Sequence, residues 1–311
     1  MGTYLITGGC GFIGSHLSDA LLARGDQVRV LDDLSMGKRE NISDACELTV
    51  GDVADLETVQ EVMKGVDGCF HLAAIASVQR SNEDWLGTHR INQTGSINVF
   101  DSARFCRDDG QPAAVVYASS AAIYGDNPNI PLNESARQGP LTAYGADKLG
   151  SELHARVAGQ AHGVPTLGFR FFNIYGPRQN PDSPYSGVIS IFADRIRDGK
   201  PIKIFGDGGH VRDFVYVSDV VRFLLAAMEA AKPEAAVWNV CRGEGTTIKD
   251  LALHLFAAAG KEVPIEHTPP RAGDILLSIG DASGVEAALN VRAEVSLKEG
   301  LKETMRFFNE A

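Results

Sequence analysis

The sequence predicts an α/β fold: a doubly wound parallel sheet with a second, smaller α/β domain beside it. Three observations carry this reading. Short apolar runs alternate with helical patterns through the first half of the chain. A glycine-rich segment, Gly8-Gly9-Cys10-Gly11-Phe12-Ile13-Gly14, follows the first apolar run and opens a helical pattern. An acid, Asp32, closes the second run. Strands separated by helices pair in parallel, and right-handed crossovers put helices on both faces of the sheet.

Taken in order, Tyr4–Thr7 reads as the first strand, followed by a helix over Ile13–Arg24 and a strand at Gln27–Leu31. A helix near Leu56–Lys64 leads to a strand at Cys69–Leu72. A long helical stretch over Asn92–Cys106 leads to Ala114–Ala118, and a helix starting near Ala143 leads to Thr166–Phe171. After Phe172 the rhythm changes. Gly176–Pro184 contains three prolines and leaves the sheet as a loop. Beyond it come helices near Ser190–Arg197 and Asp219–Ala230, a strand near Val237–Val240, a helix at Ile248–Ala259 and a closing helix at Leu297–Asn309. The expected division is 1–175 for the first domain and 176–311 for a discontinuous second one.

Composition agrees with a globular α/β chain: 311 residues, 44% hydrophobic, 22% charged, with 33 glycines and 13 prolines. Lys plus Arg number 29 against 40 Asp plus Glu, a formal net charge of −11. That field repels polyanions, so nucleic acid is not an expected partner. The five cysteines are odd in number and scattered, which reads as reduced thiols and a cytoplasmic setting. No signal peptide precedes the first strand, Ile6 stands where a myristoylation motif wants Ser or Thr, and no apolar run reaches bilayer length. The eight histidines show no ligand spacing, so no metal is expected.

The glycine segment has G-x-x-G-x-x-G spacing in Gly8, Gly11 and Gly14. Between a strand and a helix, such glycines let the backbone approach a pyrophosphate seated on the helix N-terminus, with Phe12 and Ile13 beside it. This is a Rossmann-type dinucleotide site. Asp32 stands eighteen residues beyond Gly14. A carboxylate there accepts hydrogen bonds from the adenosine ribose and repels a 2′-phosphate, so NAD is favoured over NADP, with Lys38 and Arg39 as the contrary signal. The plainer reading of Asp32 is a solvated strand-end acid. Asp52 in Gly51-Asp52-Val53 can reach the adenine amino group, with Val53 at the same edge. Leu72, Ala73 and Ala74 in His71-Leu72-Ala73-Ala74 let a cofactor lie across the strand end, while His71 itself reads as a structural histidine.

Tyr144 and Lys148 stand four residues apart at a helix start, hence on one face. A phenol titrating near ~10 needs help to act as a base at neutral pH, and a nearby ammonium and an oxidised nicotinamide both supply it. Ser119-Ser120 at the end of the preceding strand completes the set.

These motifs, with Ser119–Gly125 and Phe171–Arg178, resemble the extended short-chain dehydrogenase/reductase superfamily, and within it the NAD-dependent nucleotide-diphosphate-sugar epimerases. The resemblance implies an NAD-binding Rossmann domain, a nucleotide-sugar-binding domain and a homodimer. It implies that Ser120 hydrogen-bonds the sugar hydroxyl, Tyr144 is the base, Lys148 holds the nicotinamide ribose, and Asn92 lies on the cofactor side. Asn173 and Arg212 match positions that contact the nucleotide diphosphate; a salt bridge from Arg212 to Asp213 or Asp219 is the structural alternative. Arg271 and Asp274 match residues near the phosphates and uridine ribose, and an arginine fork suits phosphate.

Dehydratases and decarboxylases of the superfamily carry acids just after the catalytic serine or threonine. Here Ala121 and Ala122 stand there, which leaves hydride removal and return at one carbon or a one-way ketone reduction; the latter needs exchangeable NADPH, which Asp32 disfavours, so 4-epimerisation by transient C4 oxidation and hydride return is the favoured reading. Gly187, beside Val188, and Ser278 stand where glucose-restricted relatives have asparagine and tyrosine. Small residues there predict action on UDP-glucose/UDP-galactose with room for UDP-GlcNAc/UDP-GalNAc; the alternative for Ser278 is packing at the domain edge. Ser77 resembles a sugar-contacting loop position. A dTDP-deoxysugar 4-epimerase or 4-ketoreductase remains the nearest alternative, and an NAD(H)-sensing regulator the next.

Overall fold

The computed structural model describes residues 1–181, 187–270 and 275–310. Its strands are β1 (Thr3–Thr7), β2 (Gln27–Asp32), β3 (Glu47–Val50), β4 (Gly68–His71), β5 (Ala114–Ser120), β6 (Thr166–Phe171), β7 (Asn173–Tyr175), β8 (Ile202–Phe205), β9 (Val211–Tyr216), β10 (Ala236–Val240), β11 (Gly245–Thr247), β12 (Ile265–Thr268) and β13 (Leu277–Ser278). The helices are α1 (Phe12–Ala23), α2 (Leu56–Met63), α3 (Val78–Glu83), α4 (Trp85–His89), α5 (Gly95–Ser102), α6 (Ala143–His162), α7 (Val188–Arg197), α8 (Val217–Ala230), α9 (Ile248–Ala259), α10 (Ser283–Leu289) and α11 (Leu297–Glu310).

Seven strands form one parallel sheet in the order β10-β6-β5-β4-β1-β2-β3. The doubly wound α/β fold expected from the alternation of strands and helices is present. Consecutive strand residues serve opposite faces, as the period of two requires. Ile6, Phe70 and Val116 join Leu17, Leu21, Phe223 and Leu224 of α1 and α8 in one core. Leu5, Cys69 and Val115 join Val59, Met63, Val99 and Ala155 of α2, α5 and α6 in the other. Burial on both faces is why these strands read as unbroken apolar runs.

Two features differ from the sequence expectation. The helix expected over Asn92–Cys106 begins earlier and ends earlier. The Asp84 carboxylate accepts the Gly87 N–H and starts α4, which runs through a π-helical turn at Arg90–Thr94 into α5. It stops at Ser102, and Phe105, counted in the apolar pattern, is exposed. The second feature concerns the cut at 175/176. β10 lies beyond it yet pairs in parallel with β6, and α8 covers the same sheet.

The remaining elements gather around another core: Ile189, Phe192 and Ile196 of α7 meet Leu251 and Leu255 of α9, Leu301 and Met305 of α11, and Ile202 and Ile204 of β8. β9 is central. Its first half pairs with β11 and β13, its second half with β7. Neither β8 nor β9 stood out in the sequence: β8 is only four residues long, and the first half of β9 carries the charged pair Arg212-Asp213, which breaks its apolar run.

Candidate active site

Between the carboxyl ends of the seven-stranded sheet and α7 lies a cavity of about 540 Å³. Gly8, Gly11, Phe12, Ile13 and Gly14 line it at one end, Asp32, Asp52 and Val53 at its edge, Leu72–Ala74 along its floor, and Ser120, Tyr144 and Lys148 at the other end. Gly187 closes it from the α7 side. Parallel sheets put ligands at this edge because every strand ends there.

The glycine loop fits a dinucleotide. Gly8 has φ +73°, and a Cβ there would come within 2.7 Å of the Ala73 nitrogen. A Cβ on Gly14 would collide with the Gly8 carbonyl oxygen. α1 starts at Gly11 without a side-chain cap and with no acid in its first turn, so its free N–H groups and positive end remain available to an anion. Asp32 Oδ2 accepts the Cys10 N–H at 2.9 Å and Oδ1 the Leu34 N–H at 2.9 Å, which aims the carboxylate and leaves lone pairs for a ribose diol. Burial raises its pKa, and the two N–H donors oppose that rise. Asp52 sits at the rim, paired with Arg90 at 2.7 Å.

At the catalytic end, Thr142 caps α6 by accepting the Gly145 N–H, and Tyr144 and Lys148 follow on one face. Lys148 Nζ donates to the Ala118 carbonyl at 2.8 Å and lies 5.9 Å from the centre of the Tyr144 ring. The Tyr144 N–H donates to Ser81 Oγ at 3.2 Å, which docks α3 against the start of α6. Burial pushes the Tyr144 phenol up, while a hydrogen bond from Ser120 favours its ionised form. Burial drives the Lys148 ammonium down to about 8, with Asp147 acting against it.

Several expected residues lie elsewhere. Asn92 does not line the cavity; its side-chain amide grips the backbone of Ile75, accepting the N–H at 2.8 Å and donating to the carbonyl at 3.2 Å. Asn173, Arg212 and Ser278 gather around β9: Asn173 Nδ2 donates to the Asp213 carbonyl at 3.1 Å, and Ser278 pairs in register with Arg212. The Asp213 carboxylate takes backbone N–H groups from Arg242, Gly243 and Gly280, and Asp219 takes those of Glu294 and Val295 together with Arg222. Val188 is the first residue of α7. Ser77 caps α3 and faces an adjoining cavity of about 490 Å³ that shares Gly11, Phe12 and Gly187 with the first. Arg271 and Asp274 lie outside the described residues.

Sequence reasoning passed over Arg80. It lines both cavities and, among the described residues, its guanidinium has no hydrogen-bond or ion-pair partner. The available signal was its place three residues after the capping Ser77. No cluster of three His, Cys, Asp or Glu side chains able to hold a metal occurs among the described residues.

The model of the NAD dependent epimerase/dehydratase family matches residues 4–241. The chain belongs to that family. It is an NAD-dependent enzyme whose relatives include UDP-sugar 4-epimerases, which are isomerases, and also a UDP-N-acetyl-alpha-D-glucosaminuronate decarboxylase of Bacillus cytotoxicus, 30% identical over 98% of this chain and 97% of that one. This family member is 34% identical to a UDP-glucose 4-epimerase of Mycolicibacterium smegmatis, over 98% of this chain and 97% of that one. A UDP-glucose 4-epimerase of Thermotoga maritima, solved with UDP-glucose, superposes with a TM-score of 0.94 at 35% identity, over 99% of each chain. A UDP-N-acetylglucosamine 4-epimerase of Methanobrevibacter ruminantium M1, in complex with UDP-N-acetylmuramic acid, superposes with a TM-score of 0.93 at 32% identity, over 99% of this chain and 98% of that one. No helix among the described residues is long and apolar enough to cross a membrane.

Proposed function

We propose that the protein interconverts UDP-glucose and UDP-galactose by 4-epimerisation and also accepts the UDP-GlcNAc/UDP-GalNAc pair. The observation that carries this reading is the meeting of Tyr144, Lys148 and Ser120 with the glycine loop and Asp32 in one cavity. Bound along that loop, NAD supplies the acceptor for the C4 hydride and the donor that returns it. Tyr144 takes the proton of the 4-hydroxyl, and Ser120 holds the oxygen that loses it. Lys148 stabilises the phenolate and orients the cofactor ribose. Asn173 and Arg212, on β7 and β9, hold the nucleotide diphosphate while the keto sugar turns over and presents its other face, a role the resemblance also gives Arg271 and Asp274. Firm grip on the nucleotide with loose grip on the hexose converts a two-step redox cycle into an isomerisation.

The small residue Gly187, which lines the cavity, supports tolerance of a 2-acetamido group. Ala121 and Ala122 carry no proton donor, which speaks against dehydration and decarboxylation at this site. Uridine is favoured over thymidine because the relatives named above are UDP-sugar enzymes. The five cysteines are free and buried, in keeping with a cytoplasmic protein. The homodimer reading is supported by exposed Trp85, Leu86, Leu153 and Val157 on α4 and α6.

The test is incubation of the purified protein, without added cofactor, with UDP- and dTDP-sugars, followed by NMR of the products. Galactose from UDP-glucose and N-acetylgalactosamine from UDP-GlcNAc are expected. Turnover of dTDP-deoxysugars alone overturns the substrate assignment, and strict rejection of UDP-GlcNAc overturns the wide pocket. No turnover, with unaltered partner binding after Tyr144→Phe, favours a sensor.

A further inference from the structure

Beneath the cavity floor runs a buried chain of hydrogen bonds that the catalytic scheme does not use. β1 and β4 pair in register at Thr7 and His71, both fully or almost fully buried. Thr7 Oγ1 accepts the Ala73 N–H at 3.2 Å and lies 2.8 Å from His71 Nδ1. On the other side of the ring, His71 Nε2 lies 3.0 Å from Ser96 Oγ. Ser96 Oγ lies 2.6 Å from the Asn92 carbonyl and 3.0 Å from Ser151 Oγ of α6.

Proton counting sets the direction of the chain. Ser96 has one hydroxyl hydrogen, and the Asn92 carbonyl can only accept, so Ser96 donates there and accepts from His71 Nε2–H. His71 Nδ1 is then the acceptor, and Thr7, which already accepts from Ala73, donates to it. The imidazole is neutral with its proton on Nε2. Burial agrees, holding the ring to a pKa of about 3, and Lys148 is the charged group that acts on it in the same direction.

The chain has two ends on one short segment. Ala73 is held by Thr7, and Ile75 is held by Asn92 from the π-helical turn. A branch reaches α6 directly: Ser151, three residues after Lys148, donates its single hydroxyl hydrogen to Ser96 Oγ at 3.0 Å. We infer that His71 is a positioning residue: through Thr7 on one side and Ser96 and Asn92 on the other, it fixes the 73–75 wall of the cofactor cleft relative to the catalytic helix. This rests on the reading of the cavity as the NAD site. A ring needed only for packing would not sit between two anchors spaced two residues apart on the same strand exit. The requirement for retention is strict here, because one dinucleotide must stay put while the hydride is stored on it.

The experiment compares His71→Phe, His71→Gln and Ser96→Ala with the parent protein, measuring NAD affinity by titration calorimetry, kcat, KM for the sugar nucleotide and the thermal midpoint. NAD affinity and kcat are expected to fall about tenfold or more in His71→Phe, in line with the cost of an ångström-scale misplacement, with KM for the sugar nucleotide little changed. Ser96→Ala, which deletes one hydroxyl behind the wall, is expected to fall the same way. His71→Gln keeps a donor that can reach Ser96 and should recover part of the loss. If His71→Phe does not fold, Ser96→Ala decides. Lower thermal midpoints with NAD affinity and kcat unchanged overturn the proposal and leave a packing role. A parent protein that releases no NAD on denaturation and, once stripped of cofactor, binds none in the calorimeter overturns the cavity reading itself, which these readouts separate from failure of the network alone.

Discussion

Tyr144 and Lys148 are one turn apart on α6, and burial acts against the charge of each: the phenol is pushed up and the ammonium down to about 8. Under the proposed mechanism the charged pair has to be sustained by Ser120, Asp147 and the cofactor's own charge. A cation whose pKa is lowered loses its proton as pH rises through the new value. Turnover should accordingly decline above about pH 8; a kcat profile still climbing between pH 8 and 10 would show that Lys148 does not titrate there. Tyr144→Phe should lower kcat by about 10²–10⁴ while NAD stays bound, read by turnover and by absorbance of the retained cofactor. At this scale the sequence was most informative. The Tyr-Lys spacing, the strand-end serines and Asp32 are short local patterns tied to a strand end or a helix start. Arg80 and the role of Asn92 were not legible, because each depends on which loop folds over it.

The element with the most buried polar chemistry is α6. Two turns beyond Tyr144, Glu152 receives a bidentate contact from Arg170 of β6, at 3.0 and 2.8 Å, and the hydroxyl of Ser119 from β5. Arg170 also donates to the Tyr124 hydroxyl and the Glu134 carbonyl, and Tyr124 donates to Asn239 of β10. Both charges are buried, so removing one leaves the other without compensation. Glu152→Ala should cost about 3–5 kcal/mol in urea unfolding, against about 1 kcal/mol for loss of the Thr142 cap in Thr142→Ala. Equal small losses for the two would mean that water reaches Arg170. The strands flanking this pair were legible as apolar runs. The π-helical turn at Arg90–Thr94 was not, since its one extra residue per turn leaves the apolar period almost intact and its Asn92 reaches a segment 17 residues earlier in the chain.

Across the whole molecule, two buried groups set opposite acid responses. His71 has a lowered pKa, so the unfolded chain takes up a proton first as pH falls, and stability is lost between about 6.5 and 3. Asp213 is raised by burial to about 6, so the folded chain protonates first, and stability gains as pH falls from about 6 toward 3.8. His71→Gln should flatten the loss on the acid side in urea titrations at stepped pH; an unchanged slope would assign the acid sensitivity elsewhere. Light scattering should give a dimer at micromolar concentration, and Leu153→Glu should lower the mass toward a monomer; a monomeric parent protein would remove the dimer reading. The parallel sheet and the second core were readable from rhythm. The seventh strand was foreseen as a strand but not as a member of the first sheet, because pairing partners far apart in the chain leave no local trace. That return has a practical consequence. Every residue of β6 is buried, and its outer hydrogen-bonding edge is covered only when residues 236–240 arrive. A fragment ended at residue 175 would present an apolar strand with open backbone groups, ready to pair with its own copies. A cut at 175/176 therefore divides the first sheet and not two separate units, and a ribosome must finish more than three quarters of the chain before that sheet can close.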